Sequence, residues 1–493
     1  MDTSVGQPEM AASQEIRVNF TTTVPELQLP GDRSSLLVVP TDLKRYGLSR
    51  ILNSSSMLDT SSPIPFDFLI NGQFLRTSIQ EYLETNGLNA EETLTLQYVR
   101  SLIPPVYQAS FEHNDWISDI DVLSATSRAG VWSGDKLALN QDRIVSASYD
   151  GLLRVWNPSG EALATSQSSS LGGHTASVKA VKFLSSTQIA SAGLDRTVRI
   201  WKYAESDGGL QGSLKPSLEL YGHKASVDAL DVHGPTGRIL TASADGAIGL
   251  WTTSRSSAPA APPSLLPGAG GSENKKRKLA GASAAPQRGP LSLMPIHSSA
   301  ATAACFDPSD ATVAYSASQD HTIRTIDLTT SKVENVITTA HPLLTLTPLR
   351  RASSALLAAA TAARHITLVD PRVSAATTSV LTLRGHRNMV SSLAGSPDND
   401  YSLVSGSYDG TCRIWDLRSV RAGSKAEGGG SVSESVYVIE RESQKGAKRK
   451  AGDVPGRGAK VFGVAWDKTF GIVSAGEDKV VQINRGRDLL AAS

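Results

Sequence analysis

Ile144-Val145-Ser146-Ala147-Ser148-Tyr149-Asp150-Gly151-Leu152-Leu153-Arg154-Val155-Trp156 reads as a β-hairpin. Apolar and polar positions alternate with the period of a strand, Asp-Gly marks a tight turn, and a second alternating run ends in Trp. The pattern returns from Ile189 to Trp201 around Asp195, from Ile239 to Trp251 around Asp245, and from Leu403 to Trp415 around Asp409. A Gly-His pair stands a similar distance ahead of three of these: Gly173-His174, Gly222-His223 and Gly385-His386. After each His, apolar residues recur at strand spacing, as at Val178, Val181 and Phe183. A unit of this kind cannot bury its apolar face alone and must stack on its neighbours.

These units resemble the WD-repeat family, whose members are β-propellers. The resemblance implies a buried hydrogen-bonded chain of His, Asp and Trp in each blade: His174–Asp195–Trp201, His223–Asp245–Trp251 and His386–Asp409–Trp415. Asp150 and Trp156 are the matching pair of the first blade. A His and an Asp recurring in every blade are expected to be scaffold and not catalytic machinery. An Asp that accepts bonds from turn amides and an imidazole is costly to remove.

Three further units are degenerate. One has His297 and Asp320 with Ile326 in the Trp position. Another runs from Ala355 to Asp370, with Ala363 for the turn Asp and Val369 for Trp. The last has Trp466 and Asp478, with Asn484 in the Trp position. With His113-Asn114-Asp115-Trp116 opening the first unit, the expectation is a mainly β chain whose ring closes with seven blades and no free sheet edge. Propensity reads Ala355–Ala363 as a helix, whereas the repeat register makes it an inner strand. The third strand of the last blade is Val480–Asn484, so its fourth is expected from Val106–Glu112.

The 493 residues are 40% hydrophobic and 19% charged, which suits a large ring with a smaller companion domain and excludes wholesale disorder. Cys305 and Cys412 are too few for a disulfide framework or a four-thiolate zinc site, which points to a reducing compartment. Met1–Glu15 has no secretory pattern, and the most apolar run, Ser354–Ala363, is too short to cross a bilayer. A soluble protein without a membrane partner is expected. No Gly-rich phosphate loop, nucleophile elbow or metal-ligand spacing is present, so neither a catalytic residue nor a cofactor of its own is expected.

Lys and Arg number 48 against 47 Asp and Glu, a net charge of +1. Thr252–Pro290 and Ser443–Lys460 each hold six basic residues against one acidic, leaving −9 for the remainder. Both stretches read as disordered basic insertions, at 254–290 and 443–459. Lys275, Lys276, Arg277 and Lys278 form a run that reads as a nuclear import signal. Lys448-Arg449-Lys450 is the second cluster. Such runs neutralise phosphates without reading sequence, and no aromatic residues are interleaved to stack on bases. Sequence-specific nucleic-acid recognition is therefore not expected.

After a flexible start at 1–14, residues 15–100 lack the repeat, and the propeller is expected over 101–493. The order is strand (Ile16–Thr22), strand (Leu36–Val39), helix (Leu43–Leu52), strand (Phe66–Ile70), turn Asn71-Gly72, strand (Phe74–Arg76), helix (Ile79–Thr85) and strand (Leu94–Val99). One helix across a mixed sheet, with an Asn-Gly hairpin, describes a β-grasp fold. Phe68–Val99 resembles the second half of ubiquitin. The chain continues through Leu102-Ile103-Pro104-Pro105 with no Gly-Gly, so the expectation is a ubiquitin-like docking domain and not a conjugated modifier.

A ubiquitin-like domain joined to a propeller narrows the resemblance. Leu43–Leu48, Pro65–Ile70 and Ala363–Leu368 are similar to segments of the WD-repeat ribosome-biogenesis factors of the pescadillo complex, whose N-terminal domain is of the NLE type. The likeness spans the chain apart from the two insertions. It implies a non-catalytic assembly factor for rRNA processing and maturation of the large (60S) subunit, in the nucleus, nucleolus and nucleoplasm. It implies a propeller held by the block-of-proliferation protein in company with pescadillo, on the pre-ribosomal particle. It also implies a ubiquitin-like domain gripped by midasin, the AAA-type ATPase that pulls the complex off. Midasin's binding domain resembles an integrin metal site whose Mg²⁺ keeps one position open, and a carboxylate suits such a hard, octahedral cation. The family's acid lies in the turn before the last strand, Gly87–Leu94, where the matching residue is Glu91, with Glu92 beside it. An alternative of another class is a WD-repeat substrate adaptor of a ubiquitin ligase. It would need a ligase-docking motif, and the sequence has none.

Overall fold

The computed structural model describes residues 14–31, 35–60, 62–89, 91–138, 141–206, 209, 211–266, 285–349, 356–372, 379–427, 429–445 and 455–486. Two compact units meet in sequence between Ile103 and Pro104.

The first unit contains β1 (Glu15–Thr21), β2 (Leu36–Pro40), α1 (Arg45–Asn53), β3 (Phe66–Ile70), β4 (Gln73–Phe74), α2 (Ile79–Asn86) and β5 (Leu94–Arg100). The sheet order is β2-β1-β5-β3-β4, with β1 and β5 parallel and Val18 opposite Leu94. Alternation along β1 sends Ile16, Val18 and Phe20 into the core beneath α1, where they join Leu48, Leu52, Phe66, Phe68, Leu96 and Tyr98. Phe20 meets Phe68 and Tyr98 edge to face, and Tyr98 donates its hydroxyl to the Leu27 carbonyl at 2.6 Å. At the β3–β4 hairpin, Asn71 (φ 50°) and Gly72 (φ 80°) both take the left-handed conformation that matches strand twist. This is the β-grasp architecture. Its second hairpin strand stops at Phe74, short of the expected Arg76.

In the second unit, the described strands group into seven four-stranded antiparallel meanders. Their innermost strands are Ile117–Leu123, Val178–Ser185, Val227–His233, Ala301–Phe306, Leu343–Leu349, Val390–Gly395 and Val461–Asp467. Each packs on the next, and the last packs on the first. The ring is closed by β6 (Pro105–Glu112), which pairs antiparallel with Val480–Gly486, Phe111 opposite Val481. The first propeller strand thus completes the last blade, as strand counting requires.

Three expectations need correction. Leu356–Thr361 is a strand, yet it is the second of its blade; Leu343–Leu349 lies inside it. Ala355 lies outside the described residues. The insertions are not disordered throughout. Residues 254–266 and 285–290 are structured: Gln287–Arg288 adds a short parallel strand to Glu219–Leu220, and Ala258 and Ala285 are buried. Low hydrophobicity predicts disorder only where no neighbour supplies a sheet edge, and here the second blade does. In the other insertion, Ser443 bonds Asp478 at 2.7 Å and Ala459 is fully buried. Lys275, Lys276, Arg277 and Lys278, and likewise Lys448-Arg449-Lys450, lie outside the described residues.

Candidate functional sites: the blade networks and the turn before β5

The recurring polar residues meet, but not in the expected order. In the second blade His174 Nδ1 lies 2.9 Å from Asp195 Oδ2, and Nε2 lies 2.7 Å from Ser191 Oγ. Trp201 Nε1 donates to that same hydroxyl at 2.8 Å. The chain is therefore Trp–Ser–His–Asp, and Trp and Asp never touch. The third blade repeats it through Thr241, and the sixth through Ser405. The hydroxyl is the element missing from the sequence reading. It sits ten residues before Trp in each case, which makes the two diagonal neighbours across the hairpin, Trp201 lying opposite Ile189 and Ser191 opposite Arg199.

Each Asp also binds its own turn. Asp409 accepts from the Thr411 amide and hydroxyl and from the Arg387 amide. Burial alone would raise these carboxyls. The bonds from imidazole, turn amides and threonine hydroxyls more than reverse it, holding Asp195, Asp245, Asp320 and Asp409 below the usual carboxylate range. These side chains bond to one another and to their own turns, as a structural network does.

The degenerate blades show how the site tolerates substitution. The fourth keeps His297, Asp320 and Ser316 and has lost only Trp. In the first, Trp156 and His113 share Ser146, but Asp150 is not in the chain. It is taken by Arg154 at 2.7 Å, whose other nitrogen faces His113 Nδ1 at 3.5 Å. Burial and the Arg154 charge pull His113 down to about 3, so the imidazole stays neutral. In the seventh blade the histidine is replaced by a residue that sequence reading missed. Arg441, 1% exposed, makes two bonds to Asp478 at 2.9 and 2.7 Å and one to Ser474 Oγ at 2.7 Å. Asp478 and Ser474 occupy the positions of Asp195 and Ser191, four residues apart in both cases.

Along the inner strands runs a cavity of about 690 Å³. Several of its charges are engaged. Asp119 pairs with Lys182 at 2.9 Å, Asp231 pairs with Arg128 at 3.0 Å, and Asp121 accepts from the Phe183 amide of the next blade. Among the described residues, no cluster of three His, Cys, Asp or Glu side chains could hold a metal ion.

Glu91 stands apart from all of these. Ser78 caps α2 by accepting from the Glu81 amide, and the helix stops at Gly87 (φ 62°), a conformation that costs glycine little. The chain then turns through Glu91 and Glu92 into β5. Both glutamates are exposed. Among the described residues, neither carboxylate has a hydrogen bond or ion pair. Ala90 lies outside the described residues.

A β-grasp domain followed by a WD-type propeller defines the class. Residues 16–83 match the NLE (NUC135) domain, and 106–157, 165–202, 214–252, 289–327 and 377–416 match the WD domain, G-beta repeat. The unmatched stretches carry the fifth and seventh blades, where Thr339 and Arg441 stand in place of the network histidine. A solved structure of the WD40 β-propeller domain of Doa1 aligns with TM-score 0.50 at 17% identity, covering 77% of this chain and 96% of that one. That likeness speaks to fold alone.

Much nearer relatives exist. Ribosome biogenesis protein YTM1 of Chaetomium globosum is 65% identical, covering 98% of both chains. The protein of that name in Neurospora crassa is 65% identical over 97% of this chain and 98% of its own. That of Aspergillus terreus is 53% identical over 99% and 100%. The chain belongs to the YTM1 family of ribosome biogenesis proteins.

Proposed function

We propose that this protein is a non-catalytic assembly factor for the large ribosomal subunit, acting in rRNA processing in the nucleolus and nucleoplasm. Its propeller is the fixed part, held by the block-of-proliferation protein and pescadillo on the pre-ribosomal particle. Its β-grasp domain is the handle by which midasin removes the complex. The observation that carries this reading is the end-to-end likeness of both modules, in one order, to ribosome biogenesis proteins. The same likeness leaves the ligase-adaptor alternative without support. The Lys275–Lys278 run is retained as the import signal, and no cofactor of the protein's own is invoked.

The chemistry asked of the handle is small. A magnesium ion held by the partner with one open position takes a hard oxygen donor, and Glu91 offers a carboxylate that no group among the described residues engages. Gly87 ends α2 on one side of Glu91, and β5, a strand hydrogen-bonded on both sides, follows on the other. In cells whose only copy carries Glu91→Ala, large-subunit precursors are expected to retain this protein with pescadillo while precursor rRNA accumulates. Glu92→Ala should behave as wild type. Normal rRNA processing in the Glu91→Ala strain would refute the handle.

A further inference from the structure

Two strands lie in series on the covalent path from the β-grasp domain into the ring, and they are gripped very differently. β5 is an inner strand, bonded to β1 on one side and to β3 on the other, with Leu94, Leu96, Tyr98 and Val99 buried. Ser101 fastens its far end: the amide donates to the Pro65 carbonyl at 2.9 Å, and the hydroxyl donates to Asp67 at 2.6 Å. Leu102, Ile103 and Pro104 follow, and then β6 begins.

β6 is an edge strand, bonded among the described residues on one side. Its pairs run from Pro105 opposite Gly486 to Glu112 opposite Val480. Of its side chains Phe111 alone is buried, stacked on Trp156 at 5.9 Å in a cluster with Ile117, Val481 and Ile483. The strand that closes the ring is therefore the one to which the N-terminal domain is tied. It is held by one row of backbone bonds and by one aromatic ring near its far end.

A pull applied in the turn before β5 runs along the covalent chain of β5 itself, so it slides no strand pair of the β-grasp sheet. It enters β6 at Pro105, the end remote from Phe111. An edge strand has half the ladder bonds of an inner one, and regions with few buried contacts open first.

We propose that β6 is a load-sensitive clasp: a pull on the N-terminal domain strips it from the last blade, Pro105 first and Phe111 last, and opens the ring while the β-grasp domain stays folded. Its use in the cell rests on the reading of that domain as a handle; the clasp itself does not.

Single-molecule pulling tests this on the full-length chain, gripped through Glu91→Cys and through Glu334→Cys on the outer strand of the fourth blade. The native Cys305 and Cys412 are buried. The expected first event is reversible and lengthens the chain by on the order of 30 Å, the span of the eight residues of β6 when extended. Val106→Cys with Arg485→Cys, opposite each other in the pair, staples the loaded end. The event should vanish in the oxidised chain and return on reduction. Phe111→Ala, which needs no staple, should make the event about tenfold faster at fixed load. A first event several times longer, which is the unfolding of a whole unit, would overturn the clasp. So would an event that survives the staple, or a rate unchanged in Phe111→Ala. The instrument grips the Glu91 position itself, so none of these results bears on whether midasin does.

Discussion

The acids at the tips of the propeller hairpins and the acid in the turn before β5 are nearly the same chemical group in opposite surroundings. Asp195 and Asp409 are sealed in, bound to an imidazole, a threonine hydroxyl and turn amides. Among the described residues, nothing bonds the Glu91 carboxylate. The difference shows that a polar residue recurring in every unit is tied into the unit, whereas Glu91 is exposed and its carboxylate is unengaged among the described residues.

That contrast can be broken at several points. The largest effect should come from the closing strand. A chain starting at Asn114 lacks β6, leaving the Val480–Gly486 edge bare and Phe111 missing from the cluster that holds Trp156 and Val481. It is expected to lose cooperative unfolding and to aggregate, as followed by calorimetry and gel filtration. A truncated ring that melts like the whole chain would mean closure is not what holds the blades.

Next comes Asp409→Ala, which strands His386 Nδ1 and three turn donors in a buried site. It is expected to lower stability by about 3 kcal/mol in urea unfolding. A change under about 0.5 kcal/mol, the value expected of Glu91→Ala, would erase the distinction between the two acids.

A smaller effect is the response to acid. His113 titrates at about 3 when folded and near 6.5 when unfolded. The unfolded chain alone takes up that proton between those values, so the stability contribution is present above pH 6.5 and declines as pH falls toward 3. The slope is about 1.4 kcal/mol per pH unit. Burial lowers His297 and His386 as well, which adds to the decline. The depressed aspartates act lower still: their contribution is present above about pH 4 and is lost as pH falls through their folded values. His113→Gln should flatten the urea-midpoint profile between pH 6 and 4 by about one proton's worth. An unchanged slope would place the imidazole's titration elsewhere.

Much of this was legible in the residues because the repeat is strong where packing demands it. The alternating hairpins, the turn Asp and the terminal Trp identified the complete blades, and Asn71-Gly72 identified the β3–β4 hairpin. Ser191, Thr241 and Ser405 were equally regular, yet serine and threonine are so common in these strands that a hydroxyl gave no contrast. Arg441 could not be read at all, since a histidine pattern does not point to an arginine and an insertion separates it from Asp478. The trailing end of the first insertion orders for a related reason: its partner is a sheet edge distant in sequence. The turn at Glu91 was legible, but its use was suggested by resemblance and not by the residues themselves.

The most direct measurement is the affinity of the full-length chain for midasin's metal-site domain in Mg²⁺, taken for Glu91→Gln beside Glu92→Gln with melting temperatures recorded for both. Glu91→Gln should lose binding by about a hundredfold, the order expected of a lost charged interaction, while melting with the wild type, and Glu92→Gln should bind normally. Undiminished binding by Glu91→Gln, or a loss that tracks a fall in its melting temperature, would contradict the account.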